Sequence, residues 1–247
     1  MPDRLLDRQV KLLEHLTGAA AIFAADRGAL LDGSLEGIDR GPLHLEARLS
    51  HEKRMVKIKS VLPRTLDLLG GKRAQIIREF VEACPPASIN RLENARRFHG
   101  FLLARWEREA PEPAFLPDVA SFELTYAAVR AGDRAAAAAT ETSGVLHAPH
   151  GAIRRHRNVA VLRCAHDIRP ILEGRTDEAS PARDETCFAV MKQPGTDEPL
   201  VSELSCDLCG ILEMLDDFVD LDALAGRPDV SELIASLGAR GLLEVHQ

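Results

Sequence analysis

Pro199-Leu-Val-Ser-Glu-Leu-Ser-Cys-Asp-Leu-Cys-Gly-Ile-Leu-Glu-Met-Leu215 sets two structural patterns back to back. Leu200 to Leu204 follows the turn pair Pro194-Gly195 and reads as a short extended stretch. Ser205 is placed to cap a helix, and Leu208, Ile211, Leu212 and Leu215 then fall at i, i+3, i+4 and i+7. That spacing is the stripe of a helix facing a core. A strand that runs straight into a helix is therefore the nucleus from which the rest of this region is read.

Upstream, Val159 to Cys164 and Cys187 to Met191 are β-branched and apolar enough for two further strands, separated by a charged loop over 173–185. Downstream, Asp220 to Ala225 fits a short helix stopped by Gly226 and Pro228. A third helix is expected over Ser231 to Ala239, with Leu233, Ile234 and Leu237 inward. Gly241 ends it and leaves Leu242 to Val245 as a terminal strand or tail. The order is three strands and then three helices.

Residues 140–158, with Gly144, Pro149 and Gly151 and the run Arg154-Arg155-His156-Arg157, read as the linker in front of this module. Before it the pattern is helical throughout. Leu6, Val10, Leu13 and Leu16 share one face of a first helix, and glycines with Pro42 make 26–46 a loop. Helical spacing resumes near Arg48 and breaks at Pro63. It returns over Lys72 to Cys84 and over Arg91 to Arg108, where His99 lies on the apolar side. The last helix of this region is expected to be capped by Asp118, with Val119, Phe122, Tyr126 and Val129 as its stripe and the alanines 135–139 extending it. The fold class is thus α+β, with a helical domain over 1–145 and a small domain over 153–247.

Charge narrows the choice of partner. The net charge is −7. Residues 146–247 carry 10 Lys+Arg against 18 Asp+Glu, whereas residues 1–145 carry 21 against 20. An acidic module is poorly suited to neutralise phosphates, so nucleic acid is disfavoured as a ligand. No segment is apolar for long enough to span a bilayer. The acidic, amphipathic N-terminus and five scattered cysteines fit a reducing cytoplasm.

No catalytic motif stands out. The sequence lacks a nucleophile elbow, a phosphate-binding loop, a dinucleotide fingerprint and a zinc-protease helix. Cys206-Asp-Leu-Cys209 is the one metal-like or redox-like spacing, at a helix N-terminus and off the leucine stripe. With no second pair in the sequence pattern to complete it, two partly exposed thiols without a metal are expected. His166 and Asp167 should point apart, and Glu123 reads as a carboxylate flanking the Phe122/Tyr126 stripe. No catalytic residue, metal or cofactor is assigned.

Four segments together resemble a bacterial family catalogued as a DNA-binding domain. They are Leu62-Pro-Arg-Thr-Leu-Asp-Leu-Leu-Gly70, Phe80-Val-Glu-Ala-Cys-Pro-Pro86, Phe98 to Leu103 and Phe115-Leu-Pro-Asp-Val-Ala-Ser-Phe-Glu-Leu124. The match covers roughly 48–133, and Leu62 stands where the family has an aromatic residue. Members include partner subunits of TIM-barrel, multinuclear iron oxygenases that modify cysteines of ribosomally made peptides, as in methanobactin biosynthesis.

The resemblance implies a helical domain that docks on the iron enzyme as a heterodimer, and a C-terminal domain that holds the leader of a precursor peptide. The order of strands and helices is itself similar to leader-recognition modules of winged-helix type, in which the leader adds a strand to a sheet edge. Carried onto this chain, the peptide-binding residues are Leu200, Val201, Ser202, Glu203 and Leu204 on the edge and Leu233, Ile234 and Leu237 on the flanking helix. The expected function is that of a non-catalytic accessory subunit, with a DNA-binding regulator as the alternative.

Overall fold

A computed structural model describes residues 2–23, 39–132, 152–175, 181–193, 195–220 and 228–245. Two compact units divide the chain, Met1–Glu112 and Pro113–Gln247.

The first unit is helical: α1 (Pro2–Thr17), α2 (Ala19–Phe23), α3 (Arg40–Lys59), α4 (Pro63–Leu68), a 3-10 turn at Gly70–Lys72, α5 (Arg73–Ala83) and α6 (Arg91–Trp106). Asp39 caps α3 by accepting the Gly41 amide, so Gly41 and Pro42 lie in the first helical turn and not in a loop. Proline costs nothing there, because the first-turn amides have no partner within the helix. Pro63 does end one helix, and it starts the next at its first turn. Ile58, Leu62, Leu66, Phe80, Phe98 and Leu102 are fully buried, with Phe80 and Phe98 edge to face at 4.9 Å.

A cation sits inside this unit. Arg54 is 7% exposed, donates from Nε to Asn94 Oδ1 at 3.0 Å and from Nη1 to the Cys84 carbonyl at 2.8 Å, and lies over the Phe80 ring. Burial lowers its pKa to about 10, with Arg97 adding to the effect. It ties α3 to α6 and to the end of α5. The apolar face of α1 is largely left out of this core. Leu5, Leu6, Val10 and Leu13 are exposed, and Leu16 alone of that stripe packs on the small cluster of Ala21, Ile22, Ala47 and Val81.

The second unit opens with α7 (Leu116–Ala131), which sequence spacing had placed with the helical domain. Here it lies on β2 (Val159–Cys164) and β3 (Thr186–Met191), with Phe122 edge to face against Phe188 at 5.4 Å. Asp118 is not its cap. The cap position is Phe115, and the Asp118 carboxylate accepts the Ala165 and His166 amides at 3.2 and 3.1 Å and meets His166 Nδ1 at 2.7 Å. Tyr126 donates to Glu198 at 2.6 Å. The helix stops at Gly132, whose φ of 70° is left-handed and suits a residue without a Cβ. A boundary based on composition misses this, because a helix amphipathic toward a sheet and one amphipathic toward a helix carry the same stripe. The alanines 135–139 lie outside the described residues.

The three expected strands form where they were read. β2, β3 and β4 (Leu200–Leu204) make an antiparallel sheet in the order β2-β3-β4, with Cys187 opposite Leu204 and Met191 opposite Leu200. Ser205 caps α9 (Cys206–Met214) by accepting the Leu208 amide; the short α8 (Arg169–Leu172) follows β2. A second small sheet was not anticipated. β1 (Ala152–Arg155) lies between β5 (Val219–Asp220) and β6 (Leu243–Val245). The first half of the basic run 154–157 is therefore strand and not solvated linker: Arg154 pairs with Glu244 and Arg155 with Asp216. The C-terminal helix is α10 (Pro228–Ala239). Asp220 belongs to β5, and the remainder of the expected helix over 220–225 lies outside the described residues.

Two outcomes follow from these contacts. Arg54→Ala strands the Asn94 and Cys84 acceptors in the core, and should lower the unfolding free energy of the chain in urea by about 3 kcal/mol; Arg54→Lys should recover only part of it. For Glu244, burial alone would raise the carboxyl pKa, but the Arg157 amide and the Arg154 guanidinium outweigh it and hold the value below the ordinary range. Its contribution is present above the unfolded-state pKa and lost as pH falls through the lower folded value. Glu244→Gln should cost about 1 kcal/mol at neutral pH, and next to nothing once both carboxyl states are protonated. Parallel urea titrations of wild type and variant across the acid range check this.

Candidate functional site

The residues expected to bind peptide meet very different fates. β4 pairs with β3 on one side, and among the described residues no strand pairs with its other side. It is an edge, with one row of backbone donors and acceptors outside the β3 ladder. Leu200 is exposed, Val201 and Ser202 are half-buried, Glu203 is exposed and Leu204 is buried in the core.

Two arginines frame this strand. Arg169 Nη1 donates to both Glu203 carboxylate oxygens at 2.8 and 2.9 Å, while its Nε and Nη2 hold Asp167 at 2.7 and 2.8 Å. The Arg169 hydrogen bonds outweigh burial and lower the Asp167 pKa. Arg240, just past α10, donates to the Glu203 carbonyl at 3.4 Å. Asp167 thus turns to Arg169 and His166 to Asp118, the divergence expected of neighbours in an extended segment.

The α10 residues mostly close the core. Leu237 is fully buried, and Leu233 and Ile234 are half-buried against the same cluster, which includes Leu208, Ile211, Leu212 and Leu215. Only the outer flanks of Leu233 and Ile234 can meet a ligand; Leu237 supports them from beneath. Glu123, expected to flank its helix stripe, is itself buried.

A second group comes together that sequence spacing did not assemble. Cys187 at the start of β3 neighbours the Cys206 and Cys209 thiols of α9. Glu185, Cys187 and Cys206 each offer a ligand atom, and those atoms lie within 4.8 Å of one another. Cys209 is wholly buried and not off the core face as the helical wheel suggested, while Cys206 is exposed. Desolvation, the neighbouring Cys187 sulfur and nearby carboxylates raise the pKa of both α9 thiols. Arg163 spans the group, pairing with Glu185 and, at 3.0 Å, with Glu213. The signal was present in the hairpin: once Met191 stands opposite Leu200, counting back places Cys187 opposite Leu204, beside the helix that begins at Cys206.

No described helix is long and apolar enough to cross a membrane. No protein-family model matches the chain, and no curated protein matches it.

Proposed function

We propose that this chain is a non-catalytic partner subunit that holds the leader of a ribosomally made precursor peptide and presents it to an iron-dependent oxygenase. The observation that carries the reading is the edge of β4. An extended leader adds a strand there, its backbone satisfying the outer row of β4 while alternate side chains rest on Leu200 and the outer flanks of Leu233 and Ile234. The sheet, α9 and α10 serve as a winged-helix-like recognition module in which the third helix flanks the strand.

The helical unit supplies the enzyme-docking face. Leu6, Val10 and Leu13 share one side of α1 and are exposed at 61%, 47% and 62%, and α1 rests on α3, where Leu45 and Leu49 are exposed as well. Several large apolar side chains exposed along neighbouring helices suit an interaction surface on a water-exposed protein. The family resemblance over 48–133 supplies the identity of the partner, a TIM-barrel multinuclear iron oxygenase bound as a heterodimer in the cytoplasm. The acidic charge of residues 146–247 favours peptide over nucleic acid as the ligand.

Co-purification tests the pairing. Tagged chain purified from its native cells should retain an iron-dependent oxygenase and a precursor peptide; retention of neither would refute the reading. Val201→Pro, which removes a backbone donor on the side of β4 that carries the outward Glu203 carbonyl, should weaken leader binding at least tenfold, about 1.4 kcal/mol, and leave enzyme retention intact. Steeply salt-dependent binding to duplex DNA without peptide binding would support a regulator in its place.

A further inference from the structure

We propose that Cys187, Cys206, Cys209 and Glu185 form a four-ligand site for a thiophilic divalent cation, of which zinc is the type.

The inference rests on convergence from two elements and not on the Cys-x-x-Cys spacing alone. β3 brings Cys187 and the adjacent loop brings Glu185; the first turn of α9 brings Cys206 and Cys209. Glu185, Cys187 and Cys206 already place their ligand atoms within 4.8 Å of one another; Cys209, on the same turn of α9, neighbours Cys187 but lies outside that group. Three sulfurs and one carboxylate match the ligand number and type of closed tetrahedral zinc sites. Soft thiolates also select zinc over magnesium or calcium, which take oxygen ligands.

The surroundings suit a cation in a second way. Glu213 lies 3.6 Å from the Cys209 sulfur and Glu185 borders Cys206, so two carboxylates gather negative charge where the cation would sit. Arg163, held by Glu185 and Glu213, offsets part of the negative charge that three thiolates and a carboxylate leave around a divalent ion. Binding converts three thiols to thiolates and releases three protons to solvent. The ion would lock β3 to the junction of β4 and α9, since Cys187 stands opposite Leu204 and Cys206 follows two residues later. The inference is independent of the peptide-binding reading and survives its failure.

The test uses the full chain, reduced and stripped of metal, titrated with Zn²⁺ and with Co²⁺ as a spectroscopic stand-in. The expected result is one ion per chain, about three protons released on zinc binding in weak buffer, and cobalt bands of a tetrahedral, thiolate-rich site. Cys206→Ser alters an exposed position and should leave the fold intact, reduce the sulfur-to-cobalt charge-transfer intensity by about a third and weaken zinc binding at least tenfold. Glu185→Gln should keep the charge-transfer intensity and lower the affinity. Cys84→Ser, outside the cluster, should change nothing. Binding without proton release, bands unaffected by Cys206→Ser, or the absence of stoichiometric binding would each overturn the proposal and leave the sulfurs as packing.

Discussion

The register between β3 and β4 governs the second unit. Because Leu204 stands opposite Cys187 and Ser205 starts α9 at once, the strand leaves the helix no freedom to rotate. A slip of one residue would turn Leu204 to the other face and swing the stripe Leu208, Ile211, Leu212, Leu215 away from the core it shares with Ile153, Val159 and Leu242. The same register decides which sulfurs meet. Among the described residues it also leaves β4 paired on one side only, as one of the two edge strands of its sheet.

Around this junction the remaining elements act as fasteners. α7 covers one side through Phe122 and Phe188, and Asp118 pins the chain that leaves β2. The small β5-β1-β6 sheet closes the other end, with Arg154 and Glu244 paired across β1 and β6 and Arg154 over the Phe218 ring. Polar groups at these sites are mostly bidentate or multiply bonded, an arrangement that fixes geometry more than it adds stability. A peptide-binding edge benefits from such rigidity, because a preordered strand loses less entropy when a second one is added.

What could be read from the sequence followed how local each signal was. The meander, the Ser205 cap and α9 are set by neighbours in sequence, and they appear where the spacing places them. Three features depend on distant residues. α7 carries an apolar stripe, but nothing local says that a sheet covers it. Arg154 and Arg155 look like exposed charge until Glu244 and Asp216 arrive from 90 and 61 positions downstream. The α1 stripe shows the converse: amphipathic spacing announces an apolar face without saying that the chain itself buries it, and here it stays exposed. For the candidate site, the edge strand was visible in advance, the burial of Leu237 was half-visible, and the third cysteine required hairpin register.

Hydrogen exchange on the full chain, with and without the precursor peptide that co-purifies with it, tests most directly whether β4 receives another chain. Strand addition places the outer amides of residues 200–204 in new hydrogen bonds, so their exchange should slow at least tenfold on binding while the amides of α5 and α6 stay unchanged. Peptide binding that leaves residues 200–204 exchanging at their free rate would contradict the account.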